Sequence, residues 1–142
     1  MLKFFRPRHP RPTLAAQVVA MVGKPFVLEG PSPHTPFGAV FEDDGDTGYF
    51  YGLDRTDPEN PILDAMHIYN SQGVTDRHLP CTFQIVWSGD GLKVGLFIND
   101  YAHAVLDFDA RRGYCRSNFA FPTASFGSGS HEWSDAALAL FQ

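Results

Sequence analysis

Cysteine is scarce in this 142-residue chain: only Cys81 and Cys115 are present, far apart and without CxxC spacing. Reduced thiols in a cytosolic protein are therefore the expectation, with one disulfide in an exported protein as the alternative. Long apolar runs are also missing, and none approaches a membrane span. TLAAQVVAMVG, residues 13–23, is short, interrupted by Gln17 and has no small-x-small cleavage site, so a secretion signal is discounted and a cytoplasmic location expected. The catalytic signatures are absent: no GxSxG elbow, P-loop, HExxH or Rossmann glycine pattern occurs. The six histidines are dispersed, with no two at a recognised metal-ligand spacing. Basic residues are few outside the start of the chain. Four of the eleven, Lys3, Arg6, Arg8 and Arg11, fall in the first twelve residues, so the other seven stand against all sixteen acids. An acidic body argues against nucleic acid as a main ligand, because phosphate contacts need clustered Lys and Arg.

Apolar residues make up 44% of the chain and aromatics 14%, at a length that suits one domain with one substantial core. Residues 1–12 alternate basic residues with prolines and read as a flexible basic arm, leaving residues 13–142 as the globular domain. The richest stretch is PFGAVFEDDGDTGYFYGLD, Pro36 to Asp54, where two runs of period two meet at an acidic turn. Asp44-Gly45 suits a tight hairpin corner, and Gly48 leaves room for a bulge just beyond it. The hairpin tip therefore gathers Glu42, Asp43, Asp44 and Asp46 beside Tyr49, Phe50 and Tyr51. Carboxylates so crowded need water and salt, a cation or a basic partner to screen them. An EF-hand is excluded, because counting from Asp44 puts Gly48 fifth and Arg55 twelfth, where calcium ligands belong. A less regular Mg²⁺ or Ca²⁺ site stays open.

Along the rest of the chain, Thr13 can cap a short helix with Leu14, Val18, Met21 and Val22 on one face and Gly23 as its stop. Pro25–Glu29 and Pro61–Asn70 read as strands. CTFQIVWS, GLKVGLFIND, YAHAVLDFDA and GYCRSNF form an antiparallel meander, with turns at Ser88–Gly91, Asn99-Asp100 and Asp109–Gly113. Apolar residues on both faces of some of these strands imply a sandwich or a strongly curved sheet. After a Gly/Ser loop, SDAALALF begins with Ser134 as cap and reads as a short terminal helix docked by Trp133 and Phe141. The expected fold is α+β, dominated by an antiparallel sheet of about seven or eight strands with short helices near both ends.

A second constellation unites Asp64 and His67 with His103 and Asp107, provided their strands lie side by side, as a general acid/base pair or metal site. FEDDGDTGYFYGLD, DAMHIYN, IVWSGDG and LFINDYAHAVLDF together resemble a family of small bacterial proteins known as a domain of unknown function, over about Pro25 to Phe119. The resemblance implies a stand-alone bacterial domain and assigns no activity, cofactor or site residue. On the residues alone, the first expectation is a non-enzymatic binding module, immunity-type or regulatory, that meets a basic protein through Glu42, Asp43, Asp44, Asp46, Tyr49 and Tyr51. The alternatives are a metal-assisted hydrolase using Asp43, Asp44 or Asp46 with His67 or His103, and a small-ligand or sugar-binding β domain.

Overall fold

The computed structural model describes residues 11–117, 119, 126 and 131–141. Most of the basic arm and most of the Gly/Ser loop thus lie outside the described residues. Nine strands run in the order β1 (Thr13–Ala20), β2 (Phe26–Pro31), β3 (Phe37–Asp43), β4 (Thr47–Asp54), β5 (Ile62–Asn70), β6 (Cys81–Trp87), β7 (Lys93–Ile98), β8 (Tyr101–Asp107) and β9 (Arg112–Cys115). All their pairings are antiparallel. They form a five-stranded sheet, β1-β6-β7-β8-β9, and a four-stranded sheet, β2-β3-β4-β5. Among the described residues no helix is long and apolar enough to cross a membrane.

The expected short helices near the termini are not what the chain forms. Residues 13–20 are a strand, paired with β6 from Thr13↔Trp87 to Ala20↔Cys81. An isolated helix this short is marginal in water. Strand β6 offers it a ladder, and its β-branched Val18 and Val19 suit a pleated surface. Val18 packs against the core while Val19 is 63% exposed. At the other end Asp135–Phe141 is a 3₁₀ turn, in which Ser134 Oγ does accept the Ala136 amide at 3.3 Å. That segment lies on the outer face of the five-stranded sheet, with Phe141 edge-on to Phe97 at 5.6 Å.

The hairpin and the meander fold where their turn residues put them. Phe41 faces Phe50 across β3–β4 and Asp43 faces Gly48, with Gly45 at φ 102° on the corner. Asn99 and Asp100 both take positive φ, 50° and 64°, as a two-residue hairpin requires. Between the sheets Phe41 stacks on Phe83 at 5.2 Å and Phe26 meets the same ring edge-on at 4.9 Å, so each aromatic pair joins one layer to the other. Burying such rings contributes about 1.5–3 kcal/mol apiece. Trp87, fully buried on β6, donates Nε1–H across the core to the Gly30 carbonyl of β2 at 2.9 Å.

Strand β5 carries two bulges. Gly48 faces Tyr69 and Tyr49 faces His67, so Ile68 is unpaired; Gly52 faces Asp64 and Leu53 faces Ile62, so Leu63 is unpaired. The first bulge separates His67 and Tyr69, which strict alternation would place on one face. Tyr69 turns into the core, and it fits because Gly48 has no side chain: a Cβ there would stand 2.7 Å from Tyr69 Cζ and 2.9 Å from Phe41 Cζ. Gly48→Ala is expected to cost about 1–3 kcal/mol through overpacking. Gly73→Ala, where a Cβ meets nothing within 4 Å, is expected to be nearly silent. Urea unfolding of both variants checks the contrast.

Candidate functional site

The four acids of the hairpin tip do not act together. Asp43 is 1% exposed. It accepts the Tyr69 hydroxyl at 2.7 Å and the Gly23 amide at 2.8 Å on Oδ2, and the Gly45 amide at 2.8 Å on Oδ1. It therefore ties the β1–β2 turn, the hairpin corner and β5 together, and it is closed to a partner. The Tyr69 phenol is held well above its ordinary range, by burial first and then by the Asp43 carboxylate. Asp44 is exposed and closes its own turn, accepting the amides of Thr47 (2.8 Å) and Asp46 (2.9 Å). Those amides, Thr47 first, hold its carboxyl below the usual range. Asp46 is exposed and Glu42 half-buried.

What the hairpin does assemble is the outer face of the four-stranded sheet. Cross-strand register lays out two rows, Val27-Glu42-Tyr49-His67 and Glu29-Val40-Tyr51-Ala65. Three rings of these rows and Phe119, from the chain after β9, stack in file: Tyr51 on Tyr49 at 6.0 Å, Tyr49 on His67 at 4.8 Å, and His67 on Phe119 at 4.0 Å, each pair within 18° of parallel. His67 is fixed further by Nε2 contacts to Asn70 Oδ1 (2.8 Å) and to the Tyr69 carbonyl (3.1 Å). Burial, then the charge of Glu42, raises the Tyr51 phenol above its ordinary pKa. His67 and Phe119 are the members the hairpin alone does not reveal. The bulge at Ile68 brings the first, and the chain after β9 the second.

The second constellation does not converge. Its premise was adjacent strands, whereas β5 and β8 belong to different sheets. Asp64, fully buried, meets His131 instead, whose Nε2 stands 2.9 and 2.8 Å from its two oxygens. The His131 carbonyl accepts the Cys115 amide at 2.9 Å, so the pair fastens the tail to the edge of β9. Sequence offers no sign of a contact across 67 positions. His103 is the unpaired residue of a bulge in β8, between Ala102, which faces Phe97, and Ala104, which faces Leu96. The bulge places it in a cleft with Ile98 and Cys81 rather than in line with Asp107. Asp107 accepts the Ala110 amide at 2.9 Å in the β8–β9 turn. Burial, then the nearby Arg116 charge, lowers the His103 pKa to about 4. Among the described residues no three His, Cys, Asp or Glu side chains gather as a metal site needs.

These features define a two-sheet antiparallel domain in which the outer face of the smaller sheet carries partly exposed aromatic rings. Residues 20–142 match the family described as "Uncharacterized protein conserved in bacteria (DUF2251)", and the chain belongs to that family. It is similar to a Haemophilus influenzae protein described as "Uncharacterized protein", 41% identical over 86 residues, which are 61% of this chain and 53% of that one. The chain thus spans about half the length of that curated relative. No solved structure matches.

Two outcomes follow from the buried groups. Asp43→Ala strands three donors and is expected to lose about 3 kcal/mol, lowering the melting temperature by roughly 10 °C, whereas Asp46→Ala should scarcely move it. For His103, the folded pKa lies below the unfolded value near 6.5, so its neutral form is favoured by folding. That stability is complete above pH 6.5 and is lost as pH falls through 4, with a slope of at most about 1.4 kcal/mol per pH unit. Denaturant midpoints of the parent and His103→Gln across pH 3.5–7.5 should converge in acid by that amount, and parallel curves would refute it.

Proposed function

We propose that this domain is a non-enzymatic binding module that takes a basic protein segment on the outer face of its four-stranded sheet. The observation that carries the reading is the file of four stacked rings with Glu42 in the same row and Asp44 and Asp46 at its tip end. Rings already fixed by stacking lose little freedom on binding, and aromatic anchors supply most of an interface's energy. The carboxylates steer and orient an Arg- or Lys-bearing partner. Of the acids first grouped at the tip, Asp43 leaves the contact set because it holds the fold, while Glu42, Asp44, Asp46, Tyr49 and Tyr51 stay in it and His67 joins them.

The sugar-binding alternative gains little from this face. A sugar stacks on the free face of a ring, and rings 4.0–6.0 Å apart in file turn their faces to one another. The metal-assisted hydrolase would need the tip acids to meet His67 or His103. Asp43 is instead engaged by Tyr69, and His103 belongs to the other sheet.

The test separates this face from net charge. Titration calorimetry with an arginine-rich nonapeptide in 150 mM salt (about physiological strength) should show Glu42→Lys and Tyr49→Ala each weakening binding by about tenfold. Asp57→Lys changes the charge equally in an exposed loop and should weaken it less than about twofold. Equal losses in both charge variants, or none in Tyr49→Ala, remove the face from the interface.

A further inference from the structure

Where the β1–β2 turn, the loop after β5 and the β7–β8 turn meet, the two sheets part around a cleft of about 240 Å³. Its inner wall is Val22, Ile68, Tyr69, Cys81 and Ile98, each only 7–9% exposed. Asp76 and Asn99 stand exposed at its mouth. The wall's polar atoms are engaged elsewhere: the Tyr69 hydroxyl by Asp43, the Cys81 thiol by the Leu79 carbonyl at 3.7 Å, and Asn99 Oδ1 by the Thr82 amide at 2.9 Å.

Besides the exposed Thr75 and Asp76 at the mouth, the remaining polar lining residue is His103, which is only partly exposed. The bulge sets it apart from Ala102 and Ala104, and it lines the cleft, while on its other side its ring meets that of Tyr101 at 5.3 Å. Its main-chain carbonyl accepts the Arg116 amide, but among the described residues neither ring nitrogen has a hydrogen-bond partner. A half-buried imidazole offers one donor and one acceptor, and because these nitrogens keep contact with solvent a ligand's polar group can take them in place of water. Because the ring is neutral near pH 7, it suits an uncharged group. Nearby charge points the same way: Asp76 at the mouth disfavours an anion, and the Arg116 cation, outside the cleft but close enough to act on His103, disfavours another cation beside it. Size bounds the occupant too. An apolar cavity of about 150 Å³ takes benzene, so this one, at about 240 Å³, has room for a substituted aromatic ring.

We propose that this cleft is a binding site for a small uncharged aromatic molecule, its ring against Val22, Ile68, Tyr69 and Ile98 and its one polar group hydrogen-bonded to the His103 imidazole. The site is independent of the aromatic file, which lies outside the four-stranded sheet.

The full chain is titrated with phenol and indole, with toluene as the apolar match and with benzoate and benzylamine as charged ones, and is followed by amide and imidazole NMR. Phenol or indole should give saturable shifts at Val22, Ile68, Ile98 and His103. Toluene should bind about tenfold more weakly for want of the hydrogen bond, and the two charged probes should not saturate. His103→Leu should erase the preference for phenol over toluene. Val74→Trp, on the partly buried rim of the cleft, should abolish binding of every probe while leaving the amide spectrum folded, which keeps the test valid if the histidine variant is unstable. Absence of saturation with phenol and indole, shifts outside the cleft, or binding that survives Val74→Trp would each overturn the assignment.

Discussion

A carboxylate in a protein interior must find donors or the fold loses several kcal/mol, and here that obligation falls on Asp43. Three separate stretches of chain answer it: the Gly23 turn, the Gly45 corner and Tyr69 on β5. The tyrosine can reach only from inside the sandwich. For that, β5 inserts Ile68 as an unpaired residue, and the same insertion leaves His67 outside against Tyr49. The outer aromatic file thus depends on the inner hydrogen bond, because one bulge sets both. Gly48 completes the arrangement by leaving the tyrosine ring its space.

The two sheets treat their outer faces differently. The five-stranded one is covered by Asp135–Phe141, with Ala137 buried and Phe141 against Phe97. Arg116 helps to hold that segment, its guanidinium lying between the Tyr101 and Trp133 rings at 4.4 and 4.0 Å. The four-stranded one keeps Tyr49, Tyr51 and His67 partly exposed in a row. An ordered apolar surface of this kind is where an interaction site is sought first.

Legibility followed the range of the interaction. Asp44-Gly45 and Asn99-Asp100 are local signals, and the hairpins stand where these residues place them. The meander β6 to β9 was readable because each strand meets the next through a short turn. Residues 13–20 were not, since helix and strand differ little in local preference there and the deciding partner, β6, begins sixty-one residues after Ala20. Bulges were a further obstacle. Alternation assigns His67 and Tyr69 to one face, and only the ladder with β4 shows that an extra residue separates them. His103 was misplaced for the same reason on β8. The Asp64–His131 pair needed knowledge of where the tail returns, which no spacing rule contains.

The irregularity of β5 has another effect. It is an edge strand, and a regular edge offers evenly spaced amides and carbonyls on which a second chain can zip. With Leu63 and Ile68 out of register and the His67 carbonyl taken by Ser117 Oγ, that spacing is broken in two places and one acceptor is occupied. The distortions that aim Tyr69 inward and His67 outward therefore also guard this margin of the sheet against unwanted self-association.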